Sequence, residues 1–171
     1  MRLLFADIPS RWSLDAVSVI DLYAVSPARR RFVEHVTRKF SGGGSLRAVA
    51  TNAPDAVIDH LLTEHGLQNA VQRIDGPETV GFLKPSRAFF ERVLGRQHVE
   101  PEETLLVANS IPNDLPAASC GIHVCIIPRR TEICAPKDLC QCKGGSDALV
   151  YVTRSVTKAW AWIDRHFVAA T

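Results

Sequence analysis

Short apolar runs alternate along the chain with longer stretches in which apolar residues recur every three or four positions. The runs read as strands and the stretches as helices. Val17-Ser18-Val19-Ile20 is a β-branched run that ends at Asp21. Pro27 opens a helical stretch over 27–40, with Phe32, Val33, Val36 and Phe40 on one face. Ser41-Gly42-Gly43-Gly44-Ser45 stops it. A strand follows over 46–50, then a helix after Pro54 with Val57, Ile58, Leu61 and Leu62 inward. A short strand is expected near 71–74 and a helix over 85–94, burying Phe89, Phe90 and Val93. Next come a strand at 104–107, a helix at 112–120 and an almost wholly apolar strand at 122–127. Periodicity fails across 128–147, which reads as a loop insertion. A strand at 149–152 and a helix capped by Ser155 and running to about residue 167 close the chain.

This alternation predicts an α/β fold, a doubly wound parallel sheet with helices on both faces. Residues 17–171 form the core domain. Residues 1–16 are expected as an N-terminal extension, either an added edge strand through Leu3, Leu4 and Phe5 or a docking arm. In such sheets ligands sit beyond the carboxyl ends of the strands. Asp21, Thr51-Asn52 and Asn109–Asp114 stand at those ends.

Composition narrows the class. At 171 residues, 46% hydrophobic and 22% charged, the chain is long enough for a real core and is not of disordered composition. A net charge of +2 implies no strong field for polyanions. No apolar run reaches the roughly 20 residues of a membrane helix, and the first nine residues do not read as a secretory signal. Five cysteines, an odd number, read as reduced thiols of an intracellular compartment, cytoplasm or mitochondrial matrix. Cys134, Cys140 and Cys142 lack a clear fourth ligand at zinc spacing and read as loop thiols.

Four segments, each at the end of a predicted strand or the start of a helix, together resemble the haloacid-dehalogenase-like (HAD-like) hydrolases. Val19-Ile20-Asp21-Leu22-Tyr23-Ala24-Val25 resembles the first motif of that family, and Val49-Ala50-Thr51-Asn52-Ala53 the second. Gly81-Phe82-Leu83-Lys84-Pro85 resembles the third. Leu105 to Asp114, through Asn109-Ser110-Ile111-Pro112-Asn113, resembles the fourth. The resemblance implies that Asp21 is a nucleophile, that Thr51 binds a phosphoryl oxygen, and that Lys84 neutralises the transferring group. It also implies Mg²⁺ held by Asp21, Asn109 and Asp114 with the carbonyl of Tyr23. Only one helix and the glycine-rich stop fill the interval where relatives insert a cap, so a capless core is expected.

The departures are as specific. Tyr23 stands where family phosphatases carry the aspartate that protonates the leaving group. Ala24-Val25 replaces Gly-Thr, and Asn109 replaces an acid. Each matched residue also has a plainer reading. Asp21 and Thr51 could cap helices, Lys84 could be solvated, Asp114 could cap or pair, and Tyr23 could fill space.

Elsewhere, Arg29, Arg30, Arg31, Arg38 and Lys39 form a basic stripe, read either as a solvated helix face or as a contact for RNA or an acidic protein. On the last helix Val156, Trp160, Ile163 and Phe167 share a core-facing stripe. Trp162 lies about 200° from Trp160 and is expected to cover the N-terminal segment or anchor a partner. The favoured expectation is a catalytically silenced or weak HAD-like domain, serving as a structural or interaction subunit of a larger protein or ribonucleoprotein assembly. The alternative is a Mg²⁺-dependent phosphohydrolase acting on a bulky phosphate ester through an aspartyl-phosphate.

Overall fold

The structure is a computed structural model describing residues 2–6, 31, 38, 46–128 and 147–168, with residues 2–6 and 168 described by backbone alone. Six strands are present among these residues: β1 Arg2–Ala6, β2 Arg47–Ala50, β3 Arg73–Asp75, β4 Thr104–Ala108, β5 His123–Ile126 and β6 Val150–Val152. They form one sheet in the order β3-β2-β1-β4-β5-β6, and every pairing is parallel. The order reverses between β1 and β4, which makes the carboxyl end of that pair the topological switch point.

The alternation within each strand explains the two-sided packing. Ala48 and Ala50 of β2, Leu106 and Ala108 of β4, and Val124 and Ile126 of β5 face one core. Helix α3 (Arg87–Gln97) buries Phe89, Phe90, Val93 and Leu94 in that core. Leu105, Val107 and Cys125 face the other side, under α5 (Val156–Ile163). Val49 faces the same way as they do and packs with Ile58 of α1 (Asp55–Glu64). Both faces of the sheet are therefore covered, which is why its strands read as unbroken apolar runs. Ser155 caps α5 as expected, its hydroxyl accepting from Lys158 N at 3.2 Å. Two four-residue helices, α2 (Pro77–Val80) and α4 (Ile111–Asp114), are also described; α4 runs on as a 3-10 helix, Leu115–Cys120. Pro116 within the expected 112–120 helix removes a backbone donor, so the tighter form replaces a continuous α-helix.

One expectation is overturned. Arg2–Ala6 is a strand, but it is neither an extension nor an edge strand. It lies in the middle of the sheet, hydrogen-bonded to β2 on one side and β4 on the other. The run Leu3-Leu4-Phe5 carries enough apolar surface for that central place, and a strand there satisfies backbone groups on both edges. Residues 17–20, expected as the first motif strand, lie outside the described residues, as do Asp21, Tyr23, Arg29, Arg30, Lys39, Cys134, Cys140 and Cys142. Arg31 and Arg38 are helical and exposed. No helix among the described residues is long and apolar enough to cross a membrane.

Trp162 has a neighbour that its place off the stripe did not anticipate. Its ring stacks on Tyr151 of β6 with centroids 5.2 Å apart and an interplanar angle of 12°. It also meets His166 and Phe167. Because α5 lies over both β5 and the edge strand β6, the helix uses a broader apolar face than one stripe, and Trp162 covers the edge.

Candidate active site

Thr51 follows β2 directly and is completely buried. Its N–H donates to the Asp75 carbonyl at 3.0 Å, tying the ends of β2 and β3 together. Its Oγ1 accepts from Ala53 N at 3.0 Å. That bond makes a local turn and not a helix cap; α1 begins after Pro54, with no side-chain cap. A hydroxyl that accepts one N–H keeps its hydrogen for another acceptor.

Lys84 is buried to 3% exposure, so it is no solvated lysine. Its Nζ lies 2.8 Å from Asp114 Oδ1, with both side chains at 0% exposure, and donates to the Ala50 carbonyl at 3.2 Å. The backbone enters this position through Gly81, whose φ of +79° ends α2 in the left-handed region open to glycine. The Lys84–Pro85 peptide is cis. Asn52 holds the Lys84 main chain from the other side: its Oδ1 accepts from Lys84 N at 2.7 Å and its Nδ2 donates to Lys84 O at 3.0 Å.

Asp114 closes the short helix α4. Its second oxygen, Oδ2, accepts from Ser110 N at 3.1 Å, while its own N–H donates to the Ser110 carbonyl at 2.9 Å. The carboxylate thus folds back on the turn that leaves β4 and presents Oδ1 to Lys84. Both plain readings of Asp114, pairing with a cation and satisfying the start of its helix, hold at once. Asn109 follows β4 directly and is half-buried.

The fold therefore brings Thr51, Asn52, Lys84 and Asp114 together at the carboxyl ends of β2 and β4, flanking the end of β1. The arrangement can present one hydroxyl and one ammonium to an anionic group. Of the expected Mg²⁺ ligands, Asn109 and Asp114 are described. Both offer oxygen, the donor type that Mg²⁺ selects. Asp114 is already neutralised by Lys84, so the negative charge for a divalent cation has to come from elsewhere. Trp162 sits in the cluster under α5 with Leu105, Val107 and Cys125, not in this site.

Two features escaped the sequence reading. One is the double hydrogen bond of Asn52, which only the fold reveals. The other is the strand slot next to the site. Between β2 and β4, where the first motif strand belongs, the sheet holds Arg2–Ala6. The sequence signal was present: Leu3-Leu4-Phe5-Ala6 is followed by Asp7, the same apolar-run-then-aspartate pattern as Val19-Ile20-Asp21.

The chain belongs to the haloacid dehalogenase-like hydrolase family, whose family model matches residues 34–127, more than half of its length. The match spans the second to fourth motifs and begins after both Asp7 and Asp21. No curated protein matches the chain. Among solved structures, it is similar to the HAD-hydrolase YfnB from Bacillus subtilis bound to magnesium. The TM-score is 0.67 at 16% identity, over 87% of this chain and 60% of that one. It is similar to a HAD phosphatase from Thermococcus onnurineus, with TM-score 0.65 and 19% identity over 88% of this chain and 65% of that one. It also resembles an uncharacterized protein from Listeria monocytogenes serotype 4b, with TM-score 0.65 and 17% identity over 95% and 96% of the two chains. The chain thus spans less than two thirds of the first two. At these identities the likeness is one of fold: a HAD-like core with no cap domain among the described residues.

Proposed function

We propose that the strand-end cluster is a phosphoryl-transfer site that hydrolyses a phosphate ester through a covalent intermediate on Asp7 rather than Asp21. The observation that carries this reading is the fully buried Lys84–Asp114 pair at the switch point. A buried ion pair adds little stability over a well-packed apolar pair of similar volume. Its presence at the strand ends, with Lys84 Nζ also on the carbonyl of Ala50 next to Thr51, is better explained by chemistry on an anion.

Asp7 is favoured over Asp21 by its place in the sequence. The described strand β1 ends at Ala6, which pairs with Ala50 directly before Thr51, and Asp7 is the next residue of the chain. In the proposed reaction an Asp7 oxygen attacks phosphorus and the bond to the leaving oxygen breaks. Thr51 and Lys84 stabilise the charge that gathers on the phosphoryl oxygens. Water then attacks the acyl phosphate and releases phosphate, restoring the carboxylate. Asp7, Asn109 and Asp114 would hold Mg²⁺, whose chemistry would be to neutralise phosphoryl charge.

Two residues beyond Asp7 stands Pro9, which has no proton to give or take. In the proposed reaction the leaving oxygen takes its proton from water. The reading therefore favours esters with acidic leaving groups, and the lack of a cap among the described residues favours bulky ones.

The silenced-module reading keeps two supports, the neutral Asn109 and Pro9 at the position of the general acid. Its supports at Tyr23 and Ala24-Val25 weaken when the first motif moves to Asp7. A protein or RNA partner for the basic stripe rests on the exposure of Arg31 and Arg38. The test is hydrolysis of an aryl phosphate and a panel of bulkier esters with and without Mg²⁺. Metal-dependent turnover that Lys84→Ala sharply lowers, leaving a measurable residual rate, supports the proposal; no turnover from folded protein favours silencing.

A further inference from the structure

Lys84 follows a segment with little packing of its own. The two residues before it, Phe82 and Leu83, are 45% and 47% exposed, and Gly81 has no side chain. What fixes the segment is Asn52. Its carboxamide oxygen takes the N–H of Lys84 at 2.7 Å and its amide nitrogen gives to the carbonyl of the same residue at 3.0 Å. One planar side chain thus grips both polar groups of a residue 32 positions away. The ammonium at the other end of Lys84 meets the Ala50 carbonyl, two residues before Asn52, and Asp114. The main chain and the head group of Lys84 are both referred to the end of β2.

We propose that Asn52 is the positioning residue of Lys84, setting where its ammonium meets the transferring group; the inference rests on the phosphoryl-transfer reading above. The chemistry explains the residue type. Asparagine supplies one donor and one acceptor side by side, matched to one residue's C=O and N–H. Aspartate keeps the acceptor but turns a second oxygen towards the Lys84 carbonyl. Alanine offers neither, and leaves two buried main-chain groups without their partner.

The test uses the full chain and 4-nitrophenyl phosphate, with Asn52→Ala and Asn52→Asp each made alone and combined with Lys84→Ala. Misplacing a reacting group by about 1 Å can cost on the order of 10²-fold in rate. Asn52→Ala is expected to lower kcat by about 10- to 100-fold while KM moves by less than about threefold. Asn52→Asp should fall between Asn52→Ala and native. In the Lys84→Ala background the same changes should cost less than about twofold, because residues acting as a unit are non-additive. Equal losses in both backgrounds, or a kcat in Asn52→Ala unchanged from native, would overturn the proposal. If neither Asn52 variant folds, the fork is a structural brace and the positioning role is wrong. If native protein hydrolyses no phosphate ester, the phosphoryl-transfer reading fails. The positioning claim is then read from acetylation of Lys84 by an N-hydroxysuccinimide ester, followed by mass spectrometry. Protection in native protein that is lost in Asn52→Ala supports it, and equal protection in both refutes it.

Discussion

Lys84 Nζ and Asp114 Oδ1 meet at 2.8 Å with both side chains fully buried. Removing one partner of such a pair leaves an uncompensated buried charge and costs about 3–5 kcal/mol, whereas replacing both with apolar residues is often neutral or stabilising. Asp114→Asn is therefore expected to lower stability by about that much, read from the urea midpoint. The double variant Lys84→Met with Asp114→Leu should recover most of the loss. It should not recover hydrolysis. Recovery of both would mean that the pair is structural and takes no part in the chemistry.

In the proposed site Pro9 follows Asp7 by two residues, and its side chain protonates no leaving oxygen. General acid catalysis typically contributes about 10²–10⁴-fold. Rates on a series of aryl phosphates should accordingly fall steeply as the leaving-group pKa rises. A flat dependence would mean that an unrecognised acid donates the proton.

Gly76 caps α2 against α1. A Cβ built there would stand 1.8 Å from Asp55 Oδ1 and 2.9 Å from the Ala53 carbonyl. Asp55 is also held by Thr79, so it has little room to retreat. Gly76→Ala should destabilise the fold by about 1–3 kcal/mol, the usual range for overpacking. Gly66→Ala meets nothing within 4 Å, and its strain comes only from a φ of +64°. The two variants should differ in thermal midpoint, with Gly76→Ala the lower.

Burial pushes the Cys125 thiol up to about 12. In the unfolded chain it ionises near 8.5. Between those values the unfolded state binds fewer protons, so stability falls as pH rises through the window, by on the order of 1 kcal/mol per pH unit from this group. Native protein should show a steeper loss of stability from pH 9 to 11 than Cys125→Val does. In the folded state Cys125 should resist alkylation at pH 8, where half-buried Cys120, also raised by burial, reacts first.

The sheet and its covering helices were legible because buried parallel strands leave apolar runs and the helices keep their period. Phe89, Phe90 and Val93 fell where the period put them. Lys84 and Asp114 were found by motif, but their pairing across 30 positions is a property of the fold. The first strand was misplaced for a physical reason. Two apolar runs end in aspartate within the first 21 residues, and local pattern does not choose between them. The choice is made by long-range pairing: only one strand fits between β2 and β4, and Arg2–Ala6 occupies that slot. The contact of Trp162 with Tyr151 was not legible, because a single helical stripe does not anticipate a helix that covers two strands.

The most direct test of the account compares Asp7→Asn with Asp21→Asn in Mg²⁺-dependent hydrolysis of an aryl phosphate, with folding checked by circular dichroism. The account predicts that Asp7→Asn abolishes turnover while Asp21→Asn leaves it close to native. Loss of turnover in Asp21→Asn with native-like activity in Asp7→Asn would contradict it.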